Sequence, residues 1–190
     1  MRLVLATRNA HKAREFAQLL PGHDVVALPD AVVLPPETGT TFAENALGKA
    51  RAAAAATSEP AFADDSGIAV AALGGAPGVR SARWAGEEAT DADNLALLLE
   101  RVPEGADLEY VCAIAFVDPE TGEERTFEGR CAGTMTRTPR GAGGFGYDPA
   151  FVPADEGSGR TMAELSVAEK DAISHRGRAA RELLAWLATR

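Results

Sequence analysis

The sequence has few of the residues that carry redox, zinc or serine-hydrolase chemistry. Among 190 residues it has only two cysteines, Cys112 and Cys131, without CxxC spacing. We therefore expect two reduced thiols in adjacent strands rather than a redox or zinc site. The three histidines form no HExxH motif, and neither a GxSxG elbow nor a GxxxxGK[ST] phosphate loop is present. Zinc hydrolases, serine hydrolases and P-loop proteins therefore lack their defining residues here.

Basic residues are also in deficit, with 19 Lys and Arg against 28 Asp and Glu and a net charge of −9. Such a surface repels a phosphate backbone, so we expect no polymeric nucleic-acid partner. A single nucleotide stays possible, because one local cluster of cations is enough to hold a triphosphate. No apolar run approaches membrane-spanning length, and the N-terminal run is too short for a signal peptide. We expect a cytoplasmic protein without a membrane partner.

Composition and periodicity predict one α/β domain over residues 1–190. Apolar residues make up 46% and charged residues 25%, as in ordinary globular proteins. Helical and extended patterns alternate early, and a hairpin pattern appears late, which favours a mixed sheet over purely parallel winding. The predicted helices are 9–20, 42–57, 90–101, a short one opened by Ser166, and 174–188; the predicted strands are 2–6, 24–28, 61–63, 68–73, 108–118 and 125–135.

Two early segments have the residues of a phosphate or metal site. In Thr7 to Lys12 a strand leads into a helix, whose first N–H groups and Lys12 would form an anion site. Alternatively, Asn9 caps the helix and Lys12 is solvated. Next come Glu37 and, on the following helix, Glu44 and Lys49; here Glu44 is equally well a capping partner and Lys49 a surface charge.

Asp64-Asp65-Ser66-Gly67 lies between two predicted short strands. Adjacent carboxylates at the end of a strand suit Mg²⁺, which takes one or two carboxylates together with phosphate oxygens. One of them could also orient or deprotonate a water molecule. The alternative is a structural turn.

Two late segments suit a nucleoside. In the glycine-rich segment 141–149, Phe145 and Tyr147 offer stacking faces and Asp148 an acceptor for a base N–H, unless this is only a flexible hairpin loop. Further on, Lys170, His175 and Arg176 place donors near the last helix, where a solvated helix start is the alternative.

Taken together, these segments resemble the Ham1/RdgB family of inosine-triphosphate pyrophosphatases from residue 3 to about 187. The resemblance rests on motifs in register along the chain: Thr7-x-Asn9-x-x-Lys12, Glu37-Thr38-Gly39-x-Thr41-Phe42-x-Glu44-Asn45-Ala46, Ala63-Asp64-Asp65-Ser66-Gly67, Leu73-Gly74-Gly75-Ala76-Pro77-Gly78 with Ser81-Ala82-Arg83, Gly143-Gly144-Phe145-Gly146-Tyr147-Asp148-Pro149, Ala163-Glu164-Leu165, Glu169-Lys170 and Ile173-Ser174-His175-Arg176-Gly177. It implies a long, bent mixed sheet flanked by helices, two lobes with a central cleft, and a homodimer. The implied reaction is attack of water on the α-phosphorus of inosine or xanthosine triphosphates, which gives the monophosphate and pyrophosphate.

The resemblance also implies roles for the matched residues. Asp65 and Lys12 are the expected catalytic residues, and Glu37 and Asp65 the expected Mg²⁺ ligands, with Glu44 as an alternative to Glu37. The expected substrate-binding residues are Thr7, Arg8, Asn9, Ala10, His11, Lys12, Lys49, Ser66, Phe145, Gly146, Tyr147, Asp148, Lys170, His175 and Arg176. Arg8 departs from the glycine of many members, and we expect its side chain to point to solvent or to contribute weakly.

Other functions remain to be weighed against this one. A related pyrophosphatase could act on a modified pyrimidine nucleotide. A regulatory nucleotide-binding protein without turnover would be expected to lack Lys12 or one of the carboxylates, yet Lys12, Glu37, Asp64 and Asp65 are all present. The sequence does not rank inosine against xanthosine, ribose against deoxyribose, or one metal ion against several.

Overall fold

A computed structural model describes all residues, 1–190, as an α/β protein with one six-stranded sheet in the order β2-β1-β3-β4-β5-β6. The strands are β1 (Arg2–Leu5), β2 (Asp24–Ala27), β3 (Ala61–Val70), β4 (Asp107–Val117), β5 (Glu124–Met135) and β6 (Phe151–Pro153). The α-helices are α1 (Ala10–Leu19), α2 (Phe42–Thr57), α3 (Asp91–Arg101), α4 (Val167–Ile173) and α5 (His175–Leu187).

The sheet is mixed, as the sequence predicts. Strand β1 is parallel to both β2 and β3, whereas β6 is antiparallel to β5. Strands β4 and β5 are neighbours joined by residues 118–123, which agrees with the predicted hairpin. Cys112 lies on β4 and Cys131 on β5, and both are buried free thiols.

The prediction of two short strands around Asp64–Gly67 was wrong. Strand β3 runs without a break from Ala61 to Val70, so both aspartates lie inside a buried strand, and residues 71–73 form a 3₁₀ turn. Buried carboxylates are tolerated there because Lys12, Lys49 and Asn45, all distant in sequence, supply compensating charge and hydrogen bonds. The local pattern of apolar and polar residues does not reveal these distant partners.

The chain divides into two compact units. Unit 1 consists of Met1–Asp65, Cys112–Gly129 and Ala179–Arg190, and unit 2 of Ser66–Val111 and Arg130–Arg178. Strands β3, β4 and β5 each contribute residues to both.

Unit 1 has two apolar clusters. In one, the Phe16 and Phe62 rings meet edge to face with centroids 5.3 Å apart. In the other, α2 packs through small residues, including Ala46, Ala50 and Ala53. Asn45 and Lys49 are one helical turn apart on α2 and are also buried. The small alanines therefore bring a polar pair close to the strands.

Unit 2 is built around one apolar cluster that contains Ile68, Leu98, Tyr110 and Phe151. The Tyr110 and Phe151 rings pack with centroids 4.7 Å apart. At Gly67 a side chain would collide with Ser81, whose hydroxyl accepts a hydrogen bond from Ile68 N–H at 2.8 Å. Gly67 is therefore required because the Ser81 side chain approaches its Cα closely.

Capping residues fix where the helices begin. Capping boxes pair Thr41 with Glu44, Thr90 with Asp93 and Ser166 with Glu169, as the sequence predicts. None of the helices is long and apolar enough to cross a membrane.

Candidate active site

In unit 1, five charged side chains form what we call the carboxylate–lysine cluster: Lys12, Glu37, Lys49, Asp64 and Asp65. Lys12 Nζ lies 2.9 Å from Asp64 Oδ2, and that carboxylate is fully buried. Lys49 Nζ lies 2.5 Å from Glu37 Oε1 and 4.0 Å from Asp65 Oδ1. Glu37 and Asp65 thus contact the same ammonium group, although 28 positions separate them in the sequence.

Asn45 holds Asp65 in place. Its Nδ2 donates to Asp65 Oδ2 at 2.8 Å, and its Oδ1 accepts from Gly39 N–H at 2.8 Å. One buried amide therefore joins the catalytic candidate on β3 to the loop that carries Glu37.

The electrostatics of the cluster favour a proton acceptor beside a permanent cation. Burial raises the pKa of Asp65 above its usual value, and Lys49 and Asn45 only partly offset this rise. Burial lowers the pKa of Lys49, but the carboxylates of Asp64, Asp65 and Glu37 outweigh it and raise that pKa overall. Lys49 therefore stays charged while Asp65 is more basic than an exposed aspartate.

The structure separates Glu37 from Glu44, which the sequence left as alternatives. Glu44 Oε2 accepts from Thr40 N–H at 2.7 Å and Thr41 N–H at 3.2 Å, so this exposed carboxylate serves the cap of α2. Those hydrogen bonds also lower the pKa of Glu44. Glu37 is half-buried and shares Lys49 with Asp65, which makes it the better candidate for a ligand.

The donor set of the cluster fits Mg²⁺. Its ligand atoms are carboxylate oxygens, and Glu37 and Asp65 already converge on one positive charge. No group of three or more His, Cys, Asp or Glu side chains is arranged to hold a metal by itself. Mg²⁺ is commonly held by one or two carboxylates plus substrate phosphates.

In unit 2, seven residues form what we call the aromatic–cation cluster. Arg176 Nη2 donates to Ser66 Oγ at 3.0 Å. The Lys170 ammonium and the Arg176 guanidinium lie 5.2 and 5.5 Å from the centroid of the half-buried Phe145 ring. The members are Ser66, Tyr110, Phe145, Asp148, Lys170, His175 and Arg176.

Asp148 is buried, and its carboxylate is used by the protein's own donors. Oδ2 accepts from Lys170 Nζ at 2.9 Å and from Phe145 N–H at 3.0 Å, and Oδ1 accepts from the Tyr110 hydroxyl at 3.1 Å. A side chain at Gly144, where φ is +69°, would collide with this carboxylate. Asp148 therefore shapes the loop, which was not expected, and its expected role as acceptor for a base N–H stays a prediction.

Tyr147 also differs from expectation. Its ring is buried in the unit 2 core, and its hydroxyl donates to Ser81 O at 2.7 Å. The ring is needed for packing, so of the two aromatics in the loop only Phe145 keeps a partly exposed face.

Comparisons with known proteins identify the family of this chain. A model of the Ham1 family matches residues 3–186. The chain belongs to the Ham1 family. The dITP/XTP pyrophosphatase of Streptomyces avermitilis is 51% identical over 194 residues, covering 96% of this chain and 95% of that protein.

Solved Ham1 structures extend the match. A HAM1 protein from Coxiella burnetii has a TM-score of 0.88 at 41% identity, with both chains covered completely. The nucleoside-triphosphatase / dITP/XTP pyrophosphatase from Mycobacterium abscessus has a TM-score of 0.74 at 47% identity over 97% of this chain and 99% of that one.

Within this Ham1 chain, the segment Thr7–Lys12 matches the capping interpretation in part, and the anion site stays a prediction. Asn9 is the N-cap of α1 and accepts from His11 N–H and Lys12 N–H at 2.8 and 3.2 Å. Lys12, however, is not solvated: only 15% of its side chain is exposed, and it pairs with Asp64. Ala10 and His11 are exposed, and the His11 ring lies 3.2 Å from the Arg14 guanidinium.

The Arg8 side chain is 46% exposed but does not simply point to solvent, and its weak contribution to activity stays a prediction. Its guanidinium donates to Leu28 O at 2.9 Å, Pro29 O at 2.8 Å and Val32 O at 2.7 Å, with a longer bond to Asp30 O at 3.3 Å. The carbonyls of residues 28–32 converge on one cation, so Arg8 anchors the start of the loop that leads to Glu37.

Sequence reasoning missed three contributors. Asp64 was considered only together with Asp65, as a carboxylate for Mg²⁺ or for a water molecule, and its pairing with Lys12 was not foreseen. Asn45 was named beside Glu37, Glu44 and Lys49 but without a role, and Tyr110 was not singled out. A buried polar residue one turn before Lys49 was the available signal for Asn45; nothing local marked Tyr110.

Proposed function

We propose that this chain hydrolyses non-standard purine nucleoside triphosphates, those of inosine and xanthosine, to the nucleoside monophosphate and pyrophosphate. It is an enzyme of the nucleoside-triphosphate pyrophosphatase kind. The observation that carries the proposal is the carboxylate–lysine cluster, found in a Ham1 chain about 50% identical to curated dITP/XTP pyrophosphatases over nearly its whole length.

The triphosphate binds at the N-terminus of α1 and at Lys12 and Lys49. The positive end of the helix dipole favours anions, although the His11 and Lys12 N–H groups already donate to Asn9, and the two ammonium groups neutralise charge that develops on the leaving pyrophosphate. Lys12 is held by a fully buried partner, Asp64, so its ammonium group is positioned before substrate arrives.

Mg²⁺ is the cofactor we propose, held by Glu37 and Asp65 together with substrate phosphates. When bound, Mg²⁺ neutralises phosphate charge and makes the α-phosphorus a better target. Its support here is the oxygen-only donor set and the convergence of both carboxylates on the Lys49 ammonium.

Asp65 accepts the proton of the attacking water. A general base works best when its pKa lies near the working pH, and burial moves the pKa of Asp65 in that direction. The hydrogen bond from Asn45 to Oδ2 fixes the carboxylate, and Oδ1 lies on the side of Lys49.

The base binds at the aromatic–cation cluster. Phe145 offers a partly exposed face, and Lys170, His175 and Arg176 offer donors suited to the 6-carbonyl of inosine and xanthosine. Adenine presents an amino group there, which would leave the protein's donor unpaired. Mismatches of that kind are worth roughly 10⁴-fold or more in discrimination.

The test is pyrophosphate release from the deoxyinosine, xanthosine, deoxyguanosine, deoxyadenosine and deoxyuridine triphosphates, with Mg²⁺ or with EDTA. We expect strong release from the first two alone, abolished by EDTA. Preference for deoxyuridine triphosphate would instead support the pyrimidine alternative, and tight binding without release from any of the five would support a regulatory protein.

Two further proposals are a homodimer, which the family resemblance alone implies, and a cytoplasmic location, which was expected from the apolar patterning of the sequence. Light scattering coupled to size exclusion tests the first, with twice the 19.8 kDa chain mass as the expected result and the chain mass as the contradiction. Cell fractionation tests the second.

A further inference from the structure

We propose that Tyr110 is a positioning residue that sets the base selectivity of the enzyme. This inference rests on the proposed function. Tyr110 touches two members of the aromatic–cation cluster at once, and no other residue described above joins the glycine-rich loop to the first residue of α5.

The first contact is with the loop. The Tyr110 hydroxyl donates to Asp148 Oδ1 at 3.1 Å, while Oδ2 of the same carboxylate accepts from Phe145 N–H and Lys170 Nζ. Asp148 thereby fixes the positions of the stacking residue Phe145 and of the donor Lys170. Tyr110 in turn fixes the orientation of the Asp148 carboxylate.

The second contact is with α5. The Tyr110 and His175 rings stack with centroids 4.5 Å apart and planes inclined by 6°. A nearly parallel stack fixes the plane of the imidazole, and that plane determines where the ring nitrogens of His175 can donate. Arg176 is the next residue of the helix and adjoins Ser66.

Tyr110 itself is held rigidly. It lies on β4, only 6% of it is exposed, and Phe151 packs against its ring at 4.7 Å. Burial and the neighbouring Asp148 hold the pKa of Tyr110 well above its usual value, so the hydroxyl remains a donor throughout the working pH range. A side chain that cannot move or ionise is suited to hold Asp148 and His175 in fixed orientations.

The loss of Tyr110 should change base selectivity and not only the amount of active enzyme. If Tyr110 only filled the core, its loss would lower the active fraction for all substrates equally. If it orients the groups that recognise the 6-carbonyl, its loss lowers the preference for deoxyinosine over deoxyadenosine triphosphate. The ratio of the two kcat/KM values does not depend on the fraction of folded enzyme.

The experiment compares Tyr110→Phe, which keeps the ring stack and removes the hydroxyl, with Tyr110→Leu, which removes both. We expect the ratio to fall about tenfold in Tyr110→Phe, since Asp148 loses a buried hydrogen-bond donor. Tyr110→Leu should lower the ratio further. In both variants the change should appear mainly in KM for deoxyinosine triphosphate, with an unaltered dependence on Mg²⁺ concentration.

The matched control is Val102→Ala in the same apolar cluster. It removes core volume without touching Asp148 or His175, so it should lower stability and leave the ratio unchanged. A Tyr110→Phe ratio equal to that of the wild type, or a Val102→Ala ratio shifted as much, would overturn the inference.

A readout that needs no turnover separates this inference from the proposed function. The side-chain ¹⁵N resonances of His175 should shift in Tyr110→Phe, with His11 and His23 as internal references, and should not shift in Val102→Ala. A wild type inactive on all substrates would defeat the proposed function, whereas unshifted His175 resonances would defeat the role of Tyr110.

Discussion

The two clusters both bury charge, but they balance it in opposite ways. In the carboxylate–lysine cluster, three carboxylates share two ammonium groups, and the pKa of Asp65 is raised. In the aromatic–cation cluster, one carboxylate, Asp148, receives donors from Lys170, Tyr110 and the loop backbone, and Arg176 adds a further cation.

This difference matches the two ends of the proposed substrate. A cluster short of positive charge is completed by a divalent cation and by the phosphates that accompany it. A cluster rich in donors is completed by a neutral base with carbonyl oxygens. Substitutions in the carboxylate–lysine cluster should therefore affect hydrolysis, and substitutions in the aromatic–cation cluster should affect base recognition.

The largest expected effect is that of Asp65→Asn. We expect kcat/KM for deoxyinosine triphosphate to fall about 10²- to 10⁴-fold, since a proton acceptor is lost. Stability in EDTA should rise or stay level. The folded pKa of Asp65 is raised, so the ionised form lowers stability as the pH rises above the unfolded value of about 3.9, and the variant removes that loss.

Thermal melts of Asp65→Asn and wild type between pH 3 and 8 check the second half of this prediction, with the exposed Asp107→Asn as control. The stability advantage should be absent at the acid end and appear as the pH rises. An Asp65→Asn enzyme of near wild-type rate would remove Asp65 from the chemistry.

Next in size is Lys12→Met. It should abolish most activity and also lower the free energy of unfolding by about 3–5 kcal/mol, because the fully buried Asp64 loses its ionic partner. Adding Asp64→Asn should restore much of the stability but not the activity. If the double variant regained both, Lys12 would serve the fold alone.

Arg176→Met should act on recognition. We expect kcat/KM for deoxyinosine triphosphate to fall about 10- to 100-fold, as for loss of a hydrogen bond to a charged group. The Mg²⁺ concentration that gives half-maximal rate should not change. A shift in that concentration would show that the two clusters do not act separately.

The smallest effect is expected for Arg8→Gln. Loss of the guanidinium should lower stability by about 1–2 kcal/mol and speed amide exchange in residues 29–33, with less than a tenfold loss of activity. Arg14→Gln, on the exposed side of α1, is the control. Unchanged exchange in Arg8→Gln would mean that the carbonyl contacts do not hold the loop.

Features encoded locally could be predicted from the sequence. The boundaries of α2 and α3 follow from the boxes Thr41/Glu44 and Thr90/Asp93, and the Ham1 motifs gave the family. Features that depend on distant partners could not. The continuity of β3 depends on Lys12, Lys49 and Asn45, the burial of Tyr147 on the unit 2 core, and the position of Arg8 on carbonyls 20 or more residues away.

The most direct test of the central claim is the identity of the products formed from deoxyinosine triphosphate in H₂¹⁸O. Attack of water at the α-phosphorus predicts deoxyinosine monophosphate carrying the ¹⁸O label, together with unlabelled pyrophosphate. Deoxyinosine diphosphate with labelled inorganic phosphate would place the attack at the γ-phosphorus and contradict the account.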